Sequence, residues 1–320
     1  MKRLLIILSS FLALSAIGQQ QEQYSMYMMN NYLVNPAEGG TEDFVDLKLS
    51  YRTQWVGLEG APRTFYLSGH TPVGKRVSEN KELKQMAFHG VGGAIISDQI
   101  GPHSIMTVKG SYAYHLPVTN DLILSVGAFA GIKQYRTNQA ELDPGDGVSY
   151  SADPTLNNLK TSLAPDMSLG IWGYAKKYYF GVSTFQILNN KVKTTTIDNP
   201  EDEGTLSMHH WVTGGYLFKV DSVWNLVPSI VFKYASPAPM TVDLNFKVNY
   251  DDKYWVGVSY RSQDAVLAMV GATFKGFVDV GYSYDFTTSN IKTTSSGSHE
   301  IFVGLRLPNH VHKPAPAQFW

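Results

Sequence analysis

The chain has 320 residues, and its 26 Lys and Arg against 27 Asp and Glu leave a formal net charge of -1, so nothing in the charge balance points to nucleic acid or to an anionic surface. Charged residues are 17% of the chain, against about 25% in soluble domains, while aromatic residues reach 12% with 19 Tyr. There is no cysteine, which excludes disulfides and thiolate chemistry.

In chain order, Lys2 and Arg3 precede an apolar run from Leu4 to Leu14 and then the small residues Ser15, Ala16 and Gly18. That pattern predicts a secretory signal peptide over 1–18, cleaved before Gln19. The run is too short for a membrane helix, and no later segment approaches the roughly 20 continuous apolar residues that one needs. Residues 19–44 are rich in Gln, Asn, Met and Tyr and read as an N-terminal segment lying in the periplasm or in a lumen.

From residue 45 onward a period of two dominates. In Thr241 to Tyr250, Val242, Leu244, Phe246 and Val248 alternate with Asp243, Asn245 and Lys247. From Val278 to Thr287, Val280, Tyr282, Tyr284 and Phe286 alternate with Asp279, Gly281, Ser283 and Asp285. One face suits lipid and the other suits water, the pattern of a transmembrane strand. Runs between turn signals fall near 45–55, 62–72, 89–97, 103–116, 121–136, 166–175, 177–186, 207–218, 223–235, 240–250, 253–261, 264–274, 276–287 and 298–307. The predicted fold is therefore all-β: a transmembrane antiparallel β-barrel of about 14 strands over 45–307, with a C-terminal periplasmic tail over 308–320. If strand one starts from the periplasm, the long connections 137–165, 187–206 and 288–297 are extracellular. The short turns at 117–120, 176–177, 219–222, 251–252 and 275 are then periplasmic, joined by a polar connection at 73–88 with helical potential.

Sites for chemistry are sparse. No nucleophile elbow, zinc-protease helix motif or phosphate loop is present, and no acid, base and nucleophile cluster that a hydrolase would need can be assembled. The expectation is no enzyme, no cofactor and no metal. His209 and His210 are adjacent, so a strand sends them to opposite faces. His310 and His312 share a face but offer only two ligands in a tail. Asp143 to Gly147 resembles part of a calcium loop without its remaining acids, so a turn is favoured. Gly90, Gly92 and Gly93 read as barrel packing. Arg52, Lys109, Asp243, Lys247, Asp279, Asp285 and Arg306 are expected to face the lumen, where mutual pairing is favoured over an ion pathway or a catalytic set.

The stretch Gln23-Tyr-Ser-Met-Tyr-Met-Met-Asn-Asn-Tyr-Leu-Val-Asn-Pro-Ala37, followed by Gly39 and Gly40, resembles the N-terminal signature of the PorP/SprF family of type IX secretion proteins of Bacteroidota. A second block, Tyr51-Arg-Thr-Gln-Trp-Val-Gly-Leu-Glu-Gly-Ala-Pro62 with Thr64 and His70-Thr-Pro72, resembles the family's most specific region, and Tyr282 to Phe286 with Ser296 to Glu300 resembles its closing block. The candidate motif residues, structural or partner-binding, are Asn35, Pro36, Arg52, Gln54, Trp55, Gly57, Gly60, Pro62, Gly297, His299 and Glu300. The resemblance implies an outer-membrane component of type IX secretion, linked to gliding motility. Its implied partners are the C-terminal domains of large secreted adhesins, other secretion components and outer-membrane lipid. Trp55 is expected at the outer end of strand one, with 57–62 as a rigid cap over the barrel mouth. The acids of the loops 137–165 and 187–206 are expected to steer a basic partner. The competing reading is an outer-membrane channel for a small or hydrophobic solute, and a lumen packed with residues 19–44 discriminates against it.

Overall fold

A computed structural model describes residues 22–75, 86–138, 161–193 and 203–308. The leader, the 76–85 stretch, Asp143 to Gly147, His310, His312 and the tail from 309 lie outside the described residues.

Fourteen antiparallel strands close into one barrel. They are β1 (Phe44–Thr53), β2 (Arg63–Val73), β3 (Phe88–Ile100), β4 (His103–Pro117), β5 (Ile123–Thr137), β6 (Ser162–Tyr174) and β7 (Tyr178–Phe185), then β8 (His209–Tyr216), β9 (Trp224–Tyr234), β10 (Thr241–Tyr250), β11 (Tyr254–Arg261), β12 (Ala265–Phe274), β13 (Val278–Thr287) and β14 (Ser298–Pro308). Each strand pairs with its sequence neighbours, and the seam is closed by β1 against β14, with Arg52 opposite Glu300 and Phe44 opposite Pro308. A short hairpin, Lys191–Lys193 with Glu203–Thr205, forms a separate two-stranded sheet in the connection after β7.

Two of the departures from the predicted strand runs trace to proline. β6 begins at Ser162, ahead of the predicted 166, although Pro165 reads as a breaker. The β6–β7 ladder runs only from Leu169 to Tyr174, so the N–H that Pro165 lacks costs no ladder bond on that edge. The predicted strand 207–218 appears as β8 plus Phe218–Lys219, both paired with β9 in one register. The ladder lapses at Tyr216 and Leu217 because Pro228, which lies opposite in that register, has no N–H to donate.

The burial pattern is the reverse of a soluble barrel's. On β10, Leu244, Phe246 and Tyr250 are exposed while Asp243, Asn245 and Lys247 are buried; on β13, Val280, Tyr282 and Phe286 are exposed while Asp279, Ser283 and Asp285 are buried. Exposed apolar side chains recur around the circumference, among them Val126, Ile132, Leu163, Ile171, Val256, Val258 and Val270. Water would penalise such a surface; a bilayer would not. Aromatic pairs mark both edges of the band. Trp224–Tyr250 (4.7 Å) and Tyr216–Phe218 (4.5 Å) lie at one end, and Tyr284–Phe286 (4.5 Å) and Tyr284–His299 (4.9 Å) lie at the other. The long connections 138–161 and 186–208 share the second end, which is therefore the extracellular one, as in other outer-membrane barrels.

Val258 sits midway along β11 with its side chain exposed, so Val258→Lys should cost about 2–4 kcal/mol of barrel stability. Urea unfolding in lipid vesicles measures it, and an unchanged midpoint would refute a lipid-facing β11.

Candidate functional site

The lumen is filled by the segment before β1. Residues 22–43, here called the strap, begin at the extracellular end and descend to the periplasmic end, where β1 starts. At the top, Arg261 Nη2 donates to the Tyr24 carbonyl (2.9 Å) and Nη1 approaches Gln23 Oε1 (3.5 Å). At the bottom, His115 Nε2 meets the Gly39 carbonyl (2.9 Å), Gly40 N donates to His70 Nδ1 (3.1 Å), and Lys75 bonds Asp43 (2.6 Å) and the Thr41 carbonyl (2.8 Å). There the buried Glu38 carboxyl lies 3.4 Å from His70 Nε2.

The strap is three single helical turns, Tyr27–Met29, Asn31–Val34 and Pro36–Glu38, with its remaining backbone groups satisfied largely by the wall. Ser183 Oγ donates to the Val34 carbonyl (2.6 Å), Ser125 Oγ to that of Ala37 (2.5 Å), and Asn30 Nδ2 to Ser68 Oγ (2.9 Å). Met26, Met28 and Met29 pack with Trp255, Met269 and Phe302 on one side. Tyr24, Tyr27, Tyr32, Leu33 and Val34 pack with Tyr66, Phe129, Phe185 and Trp211 on the other. Flexible methionines filling an irregular gap account for the unusual composition of this stretch.

Asn35 and Pro36 lock the strap to β5–β7. Asn35 Nδ2 donates to the carbonyls of Ile171 (2.9 Å) and Val182 (3.2 Å), and its Oδ1 accepts from Ala37 N (3.0 Å). Close approach requires glycine in the wall: a Cβ at Gly127 would lie 2.6 Å from the Ala37 backbone, and one at Gly90 would lie 1.8 Å from the Gly39 carbonyl oxygen.

Two charged latches hold the upper strap. In the first, Arg52 Nη1 pairs with Asp285 (2.7 Å), lies 4.0 Å from Glu300 and donates to Ser25 Oγ. Ser25 N donates to Glu300 Oε2 (2.6 Å), and Ser25 Oγ donates to Asp285 (2.8 Å). Asp285, Arg52 and Glu300 come from β13, β1 and β14, so the latch spans the barrel seam. In the second, Asp243 binds Lys233 (2.7 Å) and Arg261 (3.3 Å), and Lys233 lies 4.9 Å from the Trp211 ring centroid. Deeper in the barrel, Asp279 pairs with Arg306 (2.7 Å), Lys247 contacts Met29 Sδ (3.6 Å), and Lys109 sits 4.1 Å from the Phe129 ring centroid. Among the described residues, two lumenal cavities of about 10 Å³ each leave room for a single water.

Above the latches lies a vestibule of about 370 Å³. Its walls include Trp55, Trp211, Tyr234, Ala235, Ala238, Pro239 and Ile291, and its floor includes Glu22, Gln23, Lys233, Arg261 and Asp264. Trp55 follows β1 in a left-handed conformation (φ 48°), and its backbone N donates to Ser298 Oγ (3.1 Å). The rim turn is fixed by Gln54 N to the Pro62 carbonyl (2.9 Å), Val56 N to that of Gly297 (2.8 Å), and Gly101 N to that of Gly60 (2.8 Å). Gly57 takes φ 100°, a conformation that other residues adopt only with strain. His299 lies on the outer wall instead, with Nδ1 2.6 Å from Tyr282 Oη in the extracellular aromatic belt. His209 is buried beside the vestibule while the adjacent His210 is exposed. Sequence reasoning missed Ser25, Trp211, Lys233 and Arg261. Arg261 and Lys233 end strands and carried no motif, and a lone Ser is silent in sequence.

Together these features define an outer-membrane β-barrel with a lumen filled by the strap and a vestibule at the extracellular end. A family model described as "Type IX secretion system membrane protein PorP/SprF" matches residues 16–305, and the chain belongs to that family. No curated protein matches it. Among solved structures it is similar to the TodX deltaS2S3 mutant monoaromatic hydrocarbon channel (11% identity, 88% of this chain and 94% of that one, TM-score 0.49). It is also similar to a Pseudomonas aeruginosa FadL homologue (11%, 86% and 93%, 0.49) and to the translocator domain of autotransporter NalP from Neisseria meningitidis (10%, 84% and 89%, 0.43).

Arg52→Leu should destabilise the barrel by about 3–5 kcal/mol, because it strands Asp285 and Glu300 as buried carboxylates. Loss of heat-resistant compact migration in gels reports it; full retention would show that the latch carries no weight. The strap's direction is testable because the chain has no cysteine. A bulky impermeant maleimide should label Gln23→Cys on intact cells, and should label Asp121→Cys in the β4–β5 turn only after the outer membrane is permeabilised. The opposite pattern would reverse the strap.

Proposed function

We propose that the barrel engages the C-terminal domain of a secreted adhesin at its extracellular mouth and holds it at the cell surface during type IX secretion and gliding. The observation that carries this reading is the filled lumen beneath the vestibule. A strap held by two charged latches and by backbone contacts along its length favours a docking surface over a solute path. The mouth also has the means to attract a partner. The connections 138–161 and 186–208 hold Glu141, Asp143, Asp146, Asp153, Asp198, Glu201, Asp202 and Glu203 against Lys160, Lys191 and Lys193, an acidic excess in a chain of net charge -1. Such an excess steers a basic partner surface. Other secretion components are then neighbours of the periplasmic face, where the strap holds Lys75.

Deleting 140–158 or 194–202 should leave an assembled, heat-modifiable barrel while abolishing adhesin display, scored by antibody binding to intact cells. Normal display after both deletions would overturn the proposal.

A further inference from the structure

We propose that the vestibule binds a neutral sugar unit, recognised by indoles at the two ends of its lining and by uncharged amide and hydroxyl side chains between them. This goes beyond the cargo reading above and does not depend on it.

Followed around the barrel, the lining runs from Trp211 on β8 to Trp55 after β1, over the strap residues Glu22 and Gln23. Between the two indoles come Thr241 at the start of β10, Gln263 in the β11–β12 turn and Ser289 after β13. Among the described residues, the side chains of these three make no hydrogen bond within the chain. Each can both donate and accept. The ions at the floor are already matched: Glu22 pairs with Lys133 (3.5 Å), Lys233 with Asp243 (2.7 Å) and Arg261 with Asp264 (3.4 Å). An ionic ligand would lose its hydration and find no free counter-charge. A hydrocarbon would cover the free hydroxyls and amide without replacing their water, which is also costly. A sugar ring avoids both costs. It carries no charge, its hydroxyls meet groups that donate and accept as they do, and its C–H face suits an aromatic ring. The volume of about 370 Å³ falls in the range of pockets that enclose small molecules.

The test uses the full-length barrel, fluorescently labelled and held in a detergent without a sugar headgroup, on an array of neutral oligosaccharides, uronate-containing oligosaccharides and alkyl chains. Two further sets of spots separate the sources of such a sugar: polysaccharide from the producing cell's own surface, and glycans released from its secreted proteins. Neutral sugars should retain the barrel, and uronates and alkyl chains should not. Titration calorimetry with the best neutral sugar should then show Trp55→Ala and Ala238→Trp binding at least about tenfold more weakly than the unaltered barrel. Trp55→Ala removes one indole and keeps the backbone bond to Ser298, whereas Ala238→Trp fills the cavity from the β9–β10 connection without altering a strand. Heat-resistant compact migration in gels shows which variants fold, and if Trp55→Ala does not, Ala238→Trp decides. Absence of any neutral-sugar signal, a stronger signal from uronates or alkyl chains, or undiminished affinity in a folded Ala238→Trp barrel would overturn the proposal. The readout needs only the barrel, so it stands or falls apart from adhesin display.

Discussion

The constraint on which the rest depends is the polarity of the inner wall. A sheet that turns Leu, Val, Phe and Tyr toward lipid must turn its alternate residues inward, and here those include Arg52, Asp243, Lys247, Asp279, Asp285 and Arg306. A wide barrel could leave such groups to water. In this one a segment of the chain takes water's place, and each of these six answers to the strap or to another charge. Asp285 and Glu300 need Arg52 and also Ser25; Arg261 needs Asp243 and also the Tyr24 carbonyl. The wall and the strap are therefore one polar core, and neither is satisfied without the other.

That mutual dependence gives the vestibule a rigid base. Trp211 and Lys233 face the vestibule above and the strap tyrosines below, since Lys233 lies 5.1 Å from the Tyr27 ring centroid and 4.9 Å from that of Trp211. The rim turn is bonded at Gly297 and Gly101 rather than left free. A surface held at so many points meets a partner without first being ordered, which lowers the entropic cost of docking.

The sheet was legible in the sequence because alternation is a local signal, repeated in strand after strand between Val45 and Leu307. Its lapses were also local, set by Pro165 and Pro228. The strap was not legible as structure. Its single helical turns are too short for any period to build up, and the residues that receive it are scattered over wall positions far from it in sequence. Asn35 could be singled out only through resemblance, and the reason for it, two carbonyls on neighbouring strands, exists only in three dimensions. Trp211 and Arg261 looked like ordinary strand residues because nothing nearby in the chain marks a strand end as the lining of a cavity.

The first latch joins Ser25 to β1, β13 and β14, and β1 with β14 is the last pairing available to close the ring. The strap precedes β1 in the chain and bonds residues on both sides of that seam, so seating the strap and joining the ring satisfy the same groups. A join closed over an empty lumen would leave its own carboxylates, Asp285 and Glu300, without Ser25 as a partner.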